Sequence, residues 1–124
     1  MATKVLIVDD SASMRQMTEI ILKTAGYEVT QAVDGRDGLS KLNEDFDVII
    51  SDFNMPNMNG LEFITAVRNG TVNRAVPIIM LTTESEGEKK QAGKEAGATA
   101  WITKPVNRDN LVGVVRKVTA TLEF

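Results

Sequence analysis

The chain contains no cysteine, which removes disulfides, thiolate metal sites and a cysteine nucleophile in one step. It contains no histidine either. The commonest general base and transition-metal ligand are therefore missing, and any metal held by side chains must be a hard, oxygen-bound cation such as Mg²⁺. Aromatic residues are few, with one Trp, one Tyr and four Phe, and the formal net charge is −3. Both argue against a nucleic-acid partner, which calls for a basic face. Apolar runs stop after four or five residues, and Met1-Ala2-Thr3-Lys4 leads into a strand without a signal-peptide core. No segment is long enough to span a membrane, and a cytoplasmic location follows as the default. Linkers, repeats and low-complexity stretches are also lacking. At 124 residues, 43% hydrophobic and 25% charged, residues 1–124 are expected to form one globular domain with a single core.

What is present alternates between two patterns. Val5-Leu6-Ile7-Val8 is a continuous apolar run, as in a strand covered on both faces, and it stops at Asp9-Asp10. Ser11 or Ser13 can cap the helix that follows, with Gln16 completing a capping box to Ser13. Met14, Met17, Ile20, Ile21 and Ala25 form its apolar stripe, and Gly26 ends it. Glu28 to Ala32 reads as a more polar edge strand, and Leu39 and Leu42 mark a short second helix. The third strand, Asp47 to Ser51, runs into Asp52 and a loop of Asn, Pro and Gly ending at Gly60. Leu61, Ile64 and Val67 then recur at helical spacing. Pro77 to Leu81 is a fourth strand ending on Thr82-Thr83-Glu84. Ser85 to Ala96 is a polar helix with only Ala92 and Ala96 to bury, and Ala100 to Thr103 a fifth strand ending at Lys104-Pro105. Leu111, Val114, Val115, Val118 and Leu122 complete a last amphipathic helix.

Five such units predict an α/β, doubly wound (βα)5 fold with a five-stranded parallel sheet in the flavodoxin-like order 2-1-3-4-5. In that order the first and third strands are neighbours. Asp9, Asp10 and Asp52 then converge from adjacent strand ends, flanked by Thr82 and Lys104. Three carboxylates so close raise one another's pKa unless a cation neutralises them, and Mg²⁺ is the natural solution. One carboxylate is left as a nucleophile toward phosphorus, while Mg²⁺, the Lys104 ammonium and the Thr82 hydroxyl meet the equatorial oxygens of a transferring phosphoryl group.

With Asp9-Asp10, Asp52-Phe53-Asn54-Met55-Pro56, Gly60, Thr82, Trp101 and Lys104-Pro105 in order along the whole chain, the sequence resembles the receiver domains of response regulators, the single-domain chemotaxis regulators in particular. The resemblance implies that Asp52 is the phosphoacceptor. It implies Mg²⁺ ligation by Asp10, Asp52 and the carbonyl of Asn54, with Asp9 acting mainly through water. It gives Lys104 to the carboxylate at rest and to the phosphoryl group afterwards, across a Lys104-Pro105 bond that is often cis in the family. Thr82 and Trp101 form the switch that alters the face made by the fourth helix, fifth strand and fifth helix. Trp101 stands where Tyr or Phe is more usual, and Thr83, beside the switch, is bulkier than the usual small residue. Asn54 and Glu84 occupy positions that tune hydrolysis. The implied partners are a sensor histidine kinase of the chemotaxis type and a target such as the flagellar motor switch, with no output domain after residue 124 and a monomer at rest. Such a protein is no enzyme beyond its own phosphorylation and dephosphorylation.

Other readings of the same residues stay open. Asp9 and Asp10 could only cap a helix, and Trp101 could be a packing residue. A small Mg²⁺-dependent aspartyl phosphatase of the haloacid dehalogenase type is the alternative function, although its two aspartates are separated by one residue and Asp9-Asp10 are adjacent. An FMN carrier needs an uncharged phosphate loop where the acid pair stands. No P-loop motif is present.

Overall fold

The structure, a computed structural model, describes residues 3–55, 58–83 and 87–120. Apolar runs and amphipathic stretches alternate along it as β1 (Lys4–Val8), α1 (Ala12–Thr24), β2 (Glu28–Ala32), α2 (Gly35–Lys41), β3 (Val48–Asp52), α3 (Gly60–Asn69), β4 (Ile78–Thr82), α4 (Gly87–Ala96), β5 (Ala100–Thr103) and α5 (Arg108–Ala120). All the strand pairs are parallel and the order is β2-β1-β3-β4-β5, as the sequence predicts.

Every residue of β3 and β4 is buried, whereas β2 at one edge alternates exposed and half-buried positions. Continuous apolar runs therefore mark the middle of the sheet, where helices cover both faces. Side chains alternate across the sheet into two cores. Val5, Ile7, Ile50, Ile79, Leu81 and Ile102 face Leu22 of α1 with Leu111 and Val115 of α5. Leu6, Val8, Ile49, Ile78 and Met80 face Phe63, Ile64 and Val67 of α3 on the other side. Among the described residues no helix is long and apolar enough to cross a membrane.

Several local expectations are corrected. Ser11 is the N-cap of α1, its Oγ accepting the Met14 N–H at 3.4 Å. The Ser13/Gln16 capping box therefore does not form, since Ser13 lies inside the first turn. The capping box forms on α3 instead: the Asn59 side chain accepts from Glu62 N at 2.9 Å while Glu62 accepts from Asn59 N at 3.0 Å. Met17 and Ile20 are exposed, at 39% and 58%, and the buried residues of α1 are Thr18 and Leu22. Positions 14, 18, 21, 22 and 25 share one face at helical period, and Thr18 belongs to it despite its hydroxyl. Strand β3 ends on Asp52 itself, one residue beyond the expected Ser51. Glu84, Pro56, Ser85 and Leu122 lie outside the described residues.

Candidate functional site

The C-terminal ends of β1 and β3 put acids side by side, because the register pairs Val8 with Ser51 and leaves Asp9 and Asp52 next in line. One carboxylate oxygen each from Asp9, Asp10 and Asp52 lies within 4.8 Å of the others. Asp9 and Asp52 are buried, at 2% and 6% exposure, while Asp10 faces solvent. Burial pushes the Asp52 carboxyl up from its ordinary range, with the Asp10 charge adding to the rise. The Lys104 hydrogen bond and charge and the Phe53 N–H act against it without cancelling it. The Asp9 carboxyl is also pushed up, first by burial and further by Asp52 and Asp10, against the Ser11 N–H and Lys104.

Lys104 supplies the cation on the other side. It follows β5, its backbone N–H donates to the Thr82 carbonyl at 2.7 Å, and its Nζ reaches Asp52 Oδ1 at 3.1 Å. The pair is mostly buried, with side-chain exposures of 18% and 8%, and the Lys104-Pro105 bond is cis. The Phe53 N–H donates to the same Oδ1 at 2.9 Å. Thr82, the last residue of β4, is fully buried at the neighbouring strand end. Asn54 and Thr83 are exposed at the two loops that leave β3 and β4. Trp101 stands apart from the acids: its half-buried ring meets Phe53 with centroids 5.8 Å apart and planes at 58°. It also lies over Gly93 of α4 and lines a groove of about 470 Å³ with Lys90 and Lys94.

Two neighbours of the acids escaped the sequence reading. Phe53 joins the Asp52 carboxylate to the Trp101 ring through its N–H and its side chain. Arg15 of α1 donates to the Asp9 carbonyl at 2.7 Å. The sequence carries no signal for it: Arg15 is the fourth residue of α1, its N–H already bonded to the Ser11 carbonyl, and it reads as an ordinary polar helix position.

The donor set suits a hard divalent cation. It offers only oxygen, carries more negative charge than Lys104 offsets, and holds two carboxyls whose raised pKa values report unrelieved repulsion and desolvation.

The chain matches the family described as response regulator receiver domain over residues 5–116. Among solved structures it is similar to the chemotaxis protein CheY4 of Vibrio cholerae, with 52% identity and a TM-score of 0.90 over 95% of this chain and 99% of that one. It is also similar to a CheY-like receiver domain protein from Methanospirillum hungatei, with 30% identity and a TM-score of 0.90 over 99% and 98% of the two chains. The phosphate regulon transcriptional regulatory protein PhoB of Escherichia coli is 34% identical over 119 residues, 95% of this chain and 52% of that protein. The chain thus spans about half the length of the curated relatives it matches.

Proposed function

The chain belongs to the response regulator receiver domain family, and from that premise we propose that it is a phosphorylation-switched signalling protein whose acceptor is Asp52. The observation that carries this reading is the placement of a buried carboxylate beside two further acids and in contact with the half-buried Lys104. An Asp52 carboxylate oxygen attacks the phosphorus of a phosphohistidine. A P–O bond forms as the P–N bond breaks, and the electron pair leaves with the donor imidazole nitrogen. Asp10, Asp52 and the Asn54 carbonyl, with Asp9 behind them, would hold Mg²⁺, which would supply neutralisation of the phosphoryl oxygens. Lys104 moves from the carboxylate to a phosphoryl oxygen, and the Thr82 hydroxyl donates to another. Thr83 flanks the entry, and Asn54 and Glu84 orient the water that later hydrolyses the acyl phosphate.

The output follows from Trp101. Its ring links Phe53, next to the acceptor, to α4 and the groove edged by Lys90 and Lys94. A change at Asp52 therefore reaches the surface formed by α4, β5 and α5. The likeness to CheY4 at 52% identity favours a chemotaxis role: a sensor histidine kinase as donor and the flagellar motor switch as target, in the cytoplasm, with the protein a monomer. The acid pair is shared by any receiver, so the target rests on the likeness and the site does not.

Incubation with Mg²⁺ and a small acyl phosphate, followed by intact mass, tests the acceptor. One phosphoryl adduct is expected in the wild type and none in Asp52→Asn. An adduct that persists in the variant removes Asp52 from the role, and steady phosphate release from varied phosphomonoesters would favour a phosphatase instead.

A further inference from the structure

Asp10 is the exposed member of the acid cluster, and its carboxylate has no hydrogen bond among the described residues. The direction of its Cα–Cβ bond is set by the two peptide planes that flank it. Both are pinned. The plane between Asp10 and Ser11 is held by the Ser11 N–H donating to Asp9 Oδ1 at 2.9 Å. The plane between Asp9 and Asp10 is held by Arg15, whose Nη1 donates to the Asp9 carbonyl oxygen at 2.7 Å. Asp9 in turn is anchored to the edge strand, its own N–H donating to the Ala32 carbonyl at 3.1 Å.

Arg15 is itself braced. Its Nε donates to Gln31 Oε1 on β2 at 3.0 Å, and the Gln31 Nε2 donates to Glu19 Oε2, one helical turn beyond Arg15, at 3.0 Å. The guanidinium fork thus spans from a neighbouring strand to the carbonyl between the two acids. Two donors in a fixed plane are needed for that span, which an ammonium on a flexible stem does not provide. Arg15 meets the acid pair at the Asp9 carbonyl oxygen, so the contact it makes with the pair is through the backbone.

We propose that Arg15 is a positioning residue of the cation site, clamping the Asp9 carbonyl against Gln31 so that the Asp9–Asp10 peptide presents the Asp10 carboxylate to a divalent cation. This rests on the reading of Asp9, Asp10 and Asp52 as a Mg²⁺ site. Residues that orient metal ligands without touching the metal are worth about 10- to 100-fold in affinity when mutated. The fork makes Arg15 such a residue, with Gln31 as its brace.

The test is calorimetric titration of Mg²⁺ into the unphosphorylated protein, with folding checked by circular dichroism at the same temperature. Arg15→Ala is expected to weaken binding by about 10-fold, and Arg15→Lys by nearly as much, because the charge is kept and the fork is lost. Gln31→Ala, which leaves Arg15 and its Asp9 bond in place, should cost about 3-fold, a fraction of the range for such partners. The amide resonance of Ser11 should move in both Arg15 variants, and phosphorylation by an acyl phosphate should return to the wild-type rate once Mg²⁺ is raised. Wild-type affinity in Arg15→Lys would overturn the clamp in favour of a simple charge effect, as would a rate that Mg²⁺ does not restore. A wild type with no Mg²⁺ site sensitive to Asp10→Asn would overturn the metal reading and the clamp together, a result distinct from either of those. Should Arg15→Ala fail to fold, Gln31→Ala decides alone, and wild-type affinity there counts against the clamp.

Discussion

Asp52 is held from behind by a close approach of backbone to backbone. The Gly60 N–H donates to the Phe53 carbonyl at 2.8 Å. A Cβ on Gly60 would stand 2.7 Å from the Asp52 carbonyl oxygen, 2.9 Å from Phe53 Cα and 2.5 Å from Met80 Cε. The methionine can move, but the two backbone atoms belong to the acceptor strand and its exit. Gly60→Ala is therefore expected to destabilise by about 1–3 kcal/mol, the usual cost of overpacking. Phosphorylation of Asp52 should slow with it. Gly113 supplies the opposite case: it lies inside α5, and a Cβ there meets nothing within 4 Å. Gly113→Ala should stabilise by roughly 0.5–1 kcal/mol from helix propensity alone. Urea unfolding of both variants checks the pair. Equal effects would mean that the backbone approach at Gly60 carries no energetic weight.

At the scale of elements, α4 is the helix with the least of its own to bury, and it is seated by an aromatic ring from the sheet. Gly93 is buried on α4, and a Cβ there would lie 2.6 Å from Cζ3 of Trp101. Alanine raises helix propensity by about 1 kcal/mol over glycine, but only if the indole leaves its seat. The aromatic contact with Phe53, worth about 0.5–1.5 kcal/mol beyond its area, goes with it. Gly93→Ala should keep or raise the helical dichroism, shift Trp101 emission to the red as the ring moves toward water, and lower the melting temperature. An unchanged emission spectrum would mean that the ring does not rest on Gly93. Nothing in the sequence signals this pairing, because Gly93 and Trp101 sit on different elements and a helical glycine reads only as a weak point. The strands were legible for the opposite reason, since a run such as Val5 to Val8 admits few arrangements other than a strand covered on both faces. The acid cluster was legible as well, because strand order alone brings Asp9, Asp10 and Asp52 to one edge. On α1 the apolar letters misled: Met17 and Ile20 are hydrophobic but off the buried face, and Thr18 is polar but on it. Spacing was the better guide there.

At the scale of the whole molecule, the fold carries an electrostatic load that its proposed cation relieves. Asp9 and Asp52 have carboxyls pushed above the ordinary value of 3.8, each with burial as the largest cause. A carboxyl whose pKa is higher in the folded than in the unfolded chain favours the folded state while it is protonated. That contribution is complete below the unfolded value and is lost as pH rises through the folded one. From these two groups, then, the metal-free protein should lose stability as pH rises above 3.8. Asp9→Asn keeps the acceptor that the Ser11 N–H requires and removes the charge. It is expected to be more stable than the wild type at neutral pH without Mg²⁺, and no more stable once the acids are protonated. Mg²⁺ acts in the opposite sense, stabilising the wild type at neutral pH by about 2.7 kcal/mol at one hundred times its dissociation constant, and Asp10→Asn by much less at the same concentration. Because protons and the cation compete for the same oxygens, the Mg²⁺ increment should shrink on acidification in the window where the metal-free protein gains stability. Denaturant unfolding with and without Mg²⁺ at mildly acidic and neutral pH measures all four quantities. A Mg²⁺ increment that is independent of pH, or equal in Asp10→Asn, would place the cation somewhere other than these three carboxylates.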